Sequence, residues 1–269
     1  MNPRTVSALT LRYLFLYVRT PLRIIELIFW PIVDLLIWGY LTFYIAQNSS
    51  NDFGQNITRS LLGGVILWDV IFRAQQGVAI SFMEDVWTRN LLNVFVAPVR
   101  TSEYVMATFL VGLVRISITV VILSLLSYFI YAFNIFWLSW GMIPFFANLL
   151  ISGWALGMIS TALILRWGPA AESLAWAVPF FIQPFTAAYY PVSTMKPVWV
   201  QALCGALPST HVFEGMRQML DLSHPFFSWS EFFLASGLNV ILMAVAASVF
   251  GWTLKMARQR ALLTKFATQ

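Results

Sequence analysis

The residues best able to do chemistry in this 269-residue chain are ionisable groups set inside apolar stretches. Glu26 and Asp34 are two helical turns apart in one stretch, so both fall on approximately one helix face, together with Trp30 or Trp38. Asp69 and Arg73 stand at i and i+4 in the next, the spacing of a helical ion pair. Arg115 lies near the middle of a third and needs a partner. Asp69, Asp34 and Glu26 are the available carboxylates, and Asp69 is the first to expect. Charges at such depth either pair between helices or line a wet path, so the chemistry they offer is ion pairing, ion relay or solute passage. Enzymatic chemistry has less to work with. The two histidines, His211 and His224, fall near one late segment where capping or surface roles suit them, and no Ser, His and acid set converges. The single cysteine, Cys204, leaves no intramolecular disulfide or thiolate cage, and no metal site is expected.

The elements that position these groups follow from composition. At 59% hydrophobic and 10% charged, with mean hydropathy +0.77, the chain has too little polar surface for a soluble globular domain. It reads as an all-α polytopic membrane protein, a single transmembrane domain over 1–269 with membrane lipids around it. Six transmembrane helices are expected at 24–46, 60–82, 103–133, 141–165, 173–188 and 232–254. Residues 1–21 interleave Arg4, Arg12 and Arg19 with apolar residues and form a basic amphipathic interfacial helix, with no cleavable signal peptide expected. A polar outer loop is expected at 47–58, with sequons at Asn48 and Asn56. Phe136, Trp137 and Trp140 mark an interface, and Gly153, Gly157 and Ser160 permit close helix packing.

Two connecting segments stand out. Residues 84–97 carry Trp87, Leu91, Val94 and Phe95 at helical spacing between Asp85, Thr88, Arg89 and Asn93, which predicts a short amphipathic helix on the water side. Pro98 ends it, and Thr101 or Ser102 caps the next helix. The fifth span is broken by Pro179 and Pro184. Residues 189–225 then predict a re-entrant helical hairpin at the outer face, whose second piece starts at Pro208 with Ser209 or Thr210 as N-cap and carries Glu214 and Arg217. Arg4, Arg12, Arg19, Arg23, Arg89, Arg100, Arg166 and the basic tail with Lys255, Arg258, Arg260 and Lys265 fall on one side, against Arg59, Lys196 and Arg217 on the other. The positive-inside rule therefore puts both termini in the cytoplasm. The net charge of +5 reports this topology and calls for no nucleic acid partner.

In this order, the basic amphipathic start, six spans, the connector ending in NVFVAPVRTSEYV and the late PSTHVFEGMRQML segment resemble the permease subunit of a type-2 ATP-binding-cassette exporter. The connector is similar to the family's coupling helix through Leu91, Leu92, Ala97, Pro98 and Val99, although Arg89 and Asn90 stand where many members have an acidic residue. Leu207, Pro208, Ser209 and Thr210, followed by Val212, Glu214 and Arg217, resemble the family's entry to an outer helical hairpin. The resemblance implies a homodimer, or a pair with a related permease, bound by two nucleotide-binding ATPase subunits in a bacterial cytoplasmic (inner) membrane. It also implies that Trp87, Leu91, Leu92 and Phe95 anchor the ATPase groove, with Arg89 and Arg100 at its rim. ATP and Mg2+ would then belong to the partner, consistent with a sequence that holds no G-x-x-x-x-G-K-[ST] loop. The cargo implied is lipid-like, glycan or drug-like, with Phe29, Trp30, Trp38, Phe180 and Phe181 as candidate contacts. The competing reading from the residues is a secondary transporter that uses Asp34, Asp69 and Arg115 as a midplane relay.

Overall fold

A computed structural model describes residues 1–47, 51–134, 140–221 and 224–259, and the regular elements among them are helical. Asn2 caps α1 (Pro3–Val18) by accepting a hydrogen bond from the Arg4 amide, and Pro3 takes the first helical position, where a missing amide proton costs nothing. α2 (Pro21–Gln47) runs on through Pro31. α3 (Asn51–Trp87) follows, then the short α4 (Leu91–Val96), α5 (Thr101–Tyr131) and α6 (Met142–Trp167). α7 (Glu172–Ile182) passes into a 3-10 turn at Gln183–Phe185; after a second 3-10 turn come α8 (Val198–Gly205), α9 (Pro208–Leu220) and α10 (Trp229–Gln259).

α3 is the axis of the molecule. Its 37 residues extend about 55 Å at the α-helical rise. α2, α5 and α6 wrap it so fully that residues 61–86 are buried apart from a half-buried Phe72. One apolar cluster gathers Phe82, Val86, Leu91, Tyr104, Leu165 and Leu254 near the C-terminal end of α3; another gathers Trp68, Ile71, Phe145, Leu149, Phe213 and Met216 nearer its N-terminal end.

Glycines set the approach of the neighbours. A Cβ on Gly77 would stand 2.4 Å from the Gly112 Cα of α5, and one on Gly153 would stand 2.4 Å from the Ala74 Cβ and 2.6 Å from the Ile71 carbonyl oxygen. Ser160 accepts a hydrogen bond from Gln75 Nε2 at 2.8 Å, so the small-residue face of α6 both clears and binds α3. Gly153→Val is expected to cost about 1–3 kcal/mol by overpacking. Thermal unfolding in detergent checks this, with Gly237→Val, which meets nothing within 4 Å, expected to be silent.

Four helices are long and apolar enough to cross a membrane: Pro21–Ile45, Thr101–Tyr131, Met142–Trp167 and Trp229–Ala257. Two of the six expected spans differ from that description. The one expected at 60–82 is part of α3, which holds Asp69, Arg73, Glu84 and Asp85 because its neighbours, rather than lipid, surround it. The one expected at 173–188 is an 11-residue helix of about 17 Å plus a 3-10 turn, short of the roughly 30 Å hydrocarbon thickness.

Other boundaries also move. Most of the outer loop expected at 47–58 is helical, since α3 already begins at Asn51; Asn56 lies within it and Asn48 lies outside the described residues. The single helix expected over 84–97 is divided by a turn at 88–90, where Arg89 has φ 54°, and α4 is a separate piece. The N-cap of α5 is Arg100, not Thr101 or Ser102, and its amide is held by Glu103 Oε2 at 3.0 Å. Likewise Leu207, not Ser209 or Thr210, caps α9; the Thr210 hydroxyl instead donates to the Phe185 carbonyl at 3.1 Å. Trp140 is exposed, while Phe136, Trp137, Arg260 and Lys265 lie outside the described residues.

Candidate functional site

A cavity of about 500 Å³ opens along the C-terminal half of α3. The α2 wall supplies Glu26, Trp30 and Asp34, which the four-residue spacing brings to one face as the sequence predicts. Opposite stand Arg73 and Gln76 of α3 and Arg115 of α5, with Trp176 and Phe180 of α7 closing the side. Toward the end of α3 the lining passes to Glu84 and Trp87, with Arg23 and Tyr17 across from them.

The charges are wired by what lies one helical turn away. Arg73 Nε donates to Asp69 Oδ1 at 3.1 Å, the expected i, i+4 pair. The pairing of Arg115 with Asp69 does not form. Asp69 is engaged by Arg73, and Arg115 instead donates to the Gln76 side-chain oxygen at 3.3 Å and packs over the Tyr17 ring, 4.9 Å from its centroid. Arg73 Nη1 reaches that same Gln76 oxygen at 3.3 Å, so one amide bridges both guanidinium groups. Arg23 forms an ion pair with Glu84, which holds α2 against the end of α3.

Trp30 and Phe180 meet the expectation of aromatic groups at this cavity. Trp38 instead stacks on Tyr189 at 4.5 Å, and Phe29 and Phe181 are exposed on the outside of the molecule. Tyr17, Arg23, Phe72, Glu84 and Trp176 also line the space and were not singled out from the sequence for this role. Extending the 26, 30, 34 face by one turn leads to Arg23; the others need the packing of α1, α3 and α7 to be seen.

Beside the connector, one carboxylate of α3 ties α1 and α5 to that helix. Asp85 is 0% exposed and accepts from the Tyr13 hydroxyl at 2.5 Å, from the Tyr104 hydroxyl at 3.0 Å, and from Arg12. Burial, reinforced by Asp85, holds the Tyr13 phenol well above its ordinary range, so it remains a protonated donor. The Asn2 amide donates to Glu103 Oε1 at 2.6 Å, fixing the start of α1 to the start of α5. Trp87 Nε1 donates to Glu172 Oε2 at 3.2 Å, which adds α7.

Within the connector, Leu91 is 1% exposed and Val94 is buried, both in the chain's own core. Leu91 therefore does not face outward as an anchor would. The helical period of α4 turns Leu91 and Val94 inward and leaves Asn93 and Val96 outward; Arg89, Pro98 and Arg100 on either side of α4 are exposed, and Trp87 is 45% exposed. The side chains of Leu92 and Phe95 lie outside what the structure describes.

At the far end of the molecule, Arg217 Nε donates to Glu214 Oε2 at 3.3 Å and Nη1 to the Ala187 carbonyl at 2.8 Å, while Glu214 Oε1 accepts from the Val192 amide at 2.8 Å. Pro208 is buried at the first turn of α9. These residues stitch α9 to the loop that precedes α8. His211 joins Glu231 at 2.7 Å and the Gly205 carbonyl at 3.0 Å, and His224 is exposed, so the two histidines do not converge.

A family model for the ABC-2 type transporter matches residues 4–220, from the first turn of α1 to the end of α9. The chain belongs to the ABC-2 type transporter family. A comparison with curated proteins finds no match. An ABC-2 permease is the transmembrane component of an ABC transporter, an integral membrane protein that associates with ATP-binding subunits.

Proposed function

We infer that this permease is the membrane-spanning part of an exporter that moves a lipid-like, glycan or drug-like substrate out of the cytoplasm. It works as a homodimer with two ATP-binding subunits, which carry ATP and Mg2+. The chain sits in a bacterial inner membrane with both termini cytoplasmic. Six crossings result if α3 counts as a crossing sheltered by its neighbours and α7 with its 3-10 turn as a broken one, with α8 and α9 forming the re-entrant hairpin on the outer side.

The observation that carries this reading is the adjacency of Glu84 and Asp85. Asp85 ties α1, α3 and α5 together just before the 88–90 turn. Its neighbour Glu84 is part of the cavity wall and holds α2 through Arg23. A displacement of α4 is thus delivered through the 88–90 turn to two adjacent residues that hold the helices enclosing the cavity. ATP-driven closure of the partner subunits moves the connector as a coupling helix, and the cavity opens or closes in response. Trp87, Arg89, Val96, Pro98 and Arg100 form the docking surface on this reading, and Glu26, Asp34, Asp69, Arg73 and Arg115 belong to the path or its supports.

Val96 is the residue to change, being 77% exposed. Val96→Asp is expected to abolish co-purification with the ATP-binding subunit while leaving the melting temperature of the permease unchanged. Undiminished co-purification would remove α4 from the interface.

A further inference from the structure

Apart from the Arg23–Glu84 pair at one end, the cavity holds ionised groups of opposite sign that form no ion pair with each other: Arg115 on α5, and Glu26 and Asp34 on α2. Arg115 is 6% exposed, and its Nε has no hydrogen-bond partner among the described residues. Its other nitrogens reach the Gln76 backbone and side-chain oxygens, and among the described residues no carboxylate lies within 4 Å of it. Across the space, Glu26 and Asp34 are exposed to the cavity on α2 and take part in no ion pair among the described residues. A buried guanidinium whose hydrogen-bond partners are neutral is costly, and a ligand anion placed against the part of it that lines the cavity supplies the counter-charge. The two carboxylates opposite disfavour a ligand that is anionic throughout and attract an ammonium or other cationic group. Trp30, Trp176 and Phe180 supply apolar faces between the two walls, suited to a cation resting on a ring and to an attached hydrocarbon part.

We propose that this cavity binds a zwitterionic amphiphile, with its anionic group on Arg115, its cationic group toward Glu26 and Asp34, and its apolar part against Trp30, Trp176 and Phe180. The proposal rests on the reading of the cavity as the substrate path and narrows the class of substrate that enters it. The headgroup chemistry is shared by zwitterionic phospholipids and by zwitterionic drug-like molecules.

The test is equilibrium binding to the full-length permease in detergent, without ATP-binding subunits. Three probes of matched chain length are compared: lysophosphatidylethanolamine, lysophosphatidylglycerol and an alkyltrimethylammonium ion. The zwitterion is expected to bind about tenfold or more tightly than either singly charged probe, the yield of one charge-assisted contact. In Glu26→Gln combined with Asp34→Asn, its affinity should fall to that of the anionic probe; in Arg115→Gln, to that of the cationic probe. A zwitterionic peptide-like drug without an acyl chain separates the two sources: binding with the same dependence on Arg115 assigns the site to the charge pattern, and failure to bind assigns it to a lipid. Binding of the three probes within about twofold of one another overturns the proposal, as does an undiminished preference after the carboxylate changes, which leave the buried core intact. If Arg115→Gln does not fold, the probe comparison and the carboxylate variants decide alone. Because binding is read without ATP, loss of the exporter reading would show as absent ATP-driven movement with the binding selectivity retained.

Discussion

Asp85→Ala is expected to destabilise the permease by about 3–5 kcal/mol, the range seen when one partner of a buried charged cluster is removed. The carboxylate is fully buried and serves three donors, Tyr13, Tyr104 and Arg12, which come from two helices other than its own. Without it, two phenol hydroxyls and a guanidinium lose their acceptor where water does not reach Asp85. The measurement is thermal unfolding in detergent. Asp85→Asn should recover part of the loss, because an amide oxygen still accepts from one hydroxyl but leaves Arg12 without a counter-charge. Limited proteolysis adds a second readout: α1 should become cleavable before the rest of the chain, since Asp85 is the buried polar joint between it, α3 and α5, leaving only the Asn2 to Glu103 contact and the packing of Tyr13, Leu16 and Tyr17. A melting temperature within experimental scatter of the parent would contradict the account of Asp85 as the joint.

The second large effect is expected at Leu91. Leu91→Asp places an unpaired carboxylate among Tyr13, Phe82, Tyr104 and the other members of the core cluster, at a cost of several kcal/mol. The change is expected to prevent accumulation of folded permease, whether or not an ATP-binding subunit is present. This contrasts with Val96→Asp five residues on, which should fold normally and lose its partner. Folded, soluble-in-detergent Leu91→Asp with unchanged thermal stability would show that Leu91 is not part of the core.

Much of the helical layout was legible because the signals are local. The apolar stretches, the Asp69 and Arg73 spacing and the shared face of Glu26, Trp30 and Asp34 all depend on residues a few positions apart. What the sequence left open depends on distant chain segments. Glu84 and Asp85 look like polar connector residues, yet they turn inward because Arg23, Arg12 and Tyr13 arrive from more than sixty positions earlier. Arg115 was matched to a carboxylate by charge, but the i, i+4 contact within α3 takes Asp69 first and leaves Gln76 to serve Arg115. Leu91 illustrates a different limit: an amphipathic stripe shows which residues are apolar on one face, and it does not say whether that face meets a partner or the chain's own core.

The most direct test of the central claim, that ATP-binding subunits act on the cavity through the connector, is a labelling experiment. The chain has one cysteine, Cys204, which is buried, so Cys204→Ala with Val96→Cys gives a single reporter on α4. The rate of maleimide modification is measured with and without the ATP-binding subunit, alongside Trp140→Cys in the same background as an exposed position just before α6. The subunit is expected to slow modification sharply at position 96 and to leave position 140 unchanged. Equal rates at position 96 with and without a bound subunit would contradict the claim.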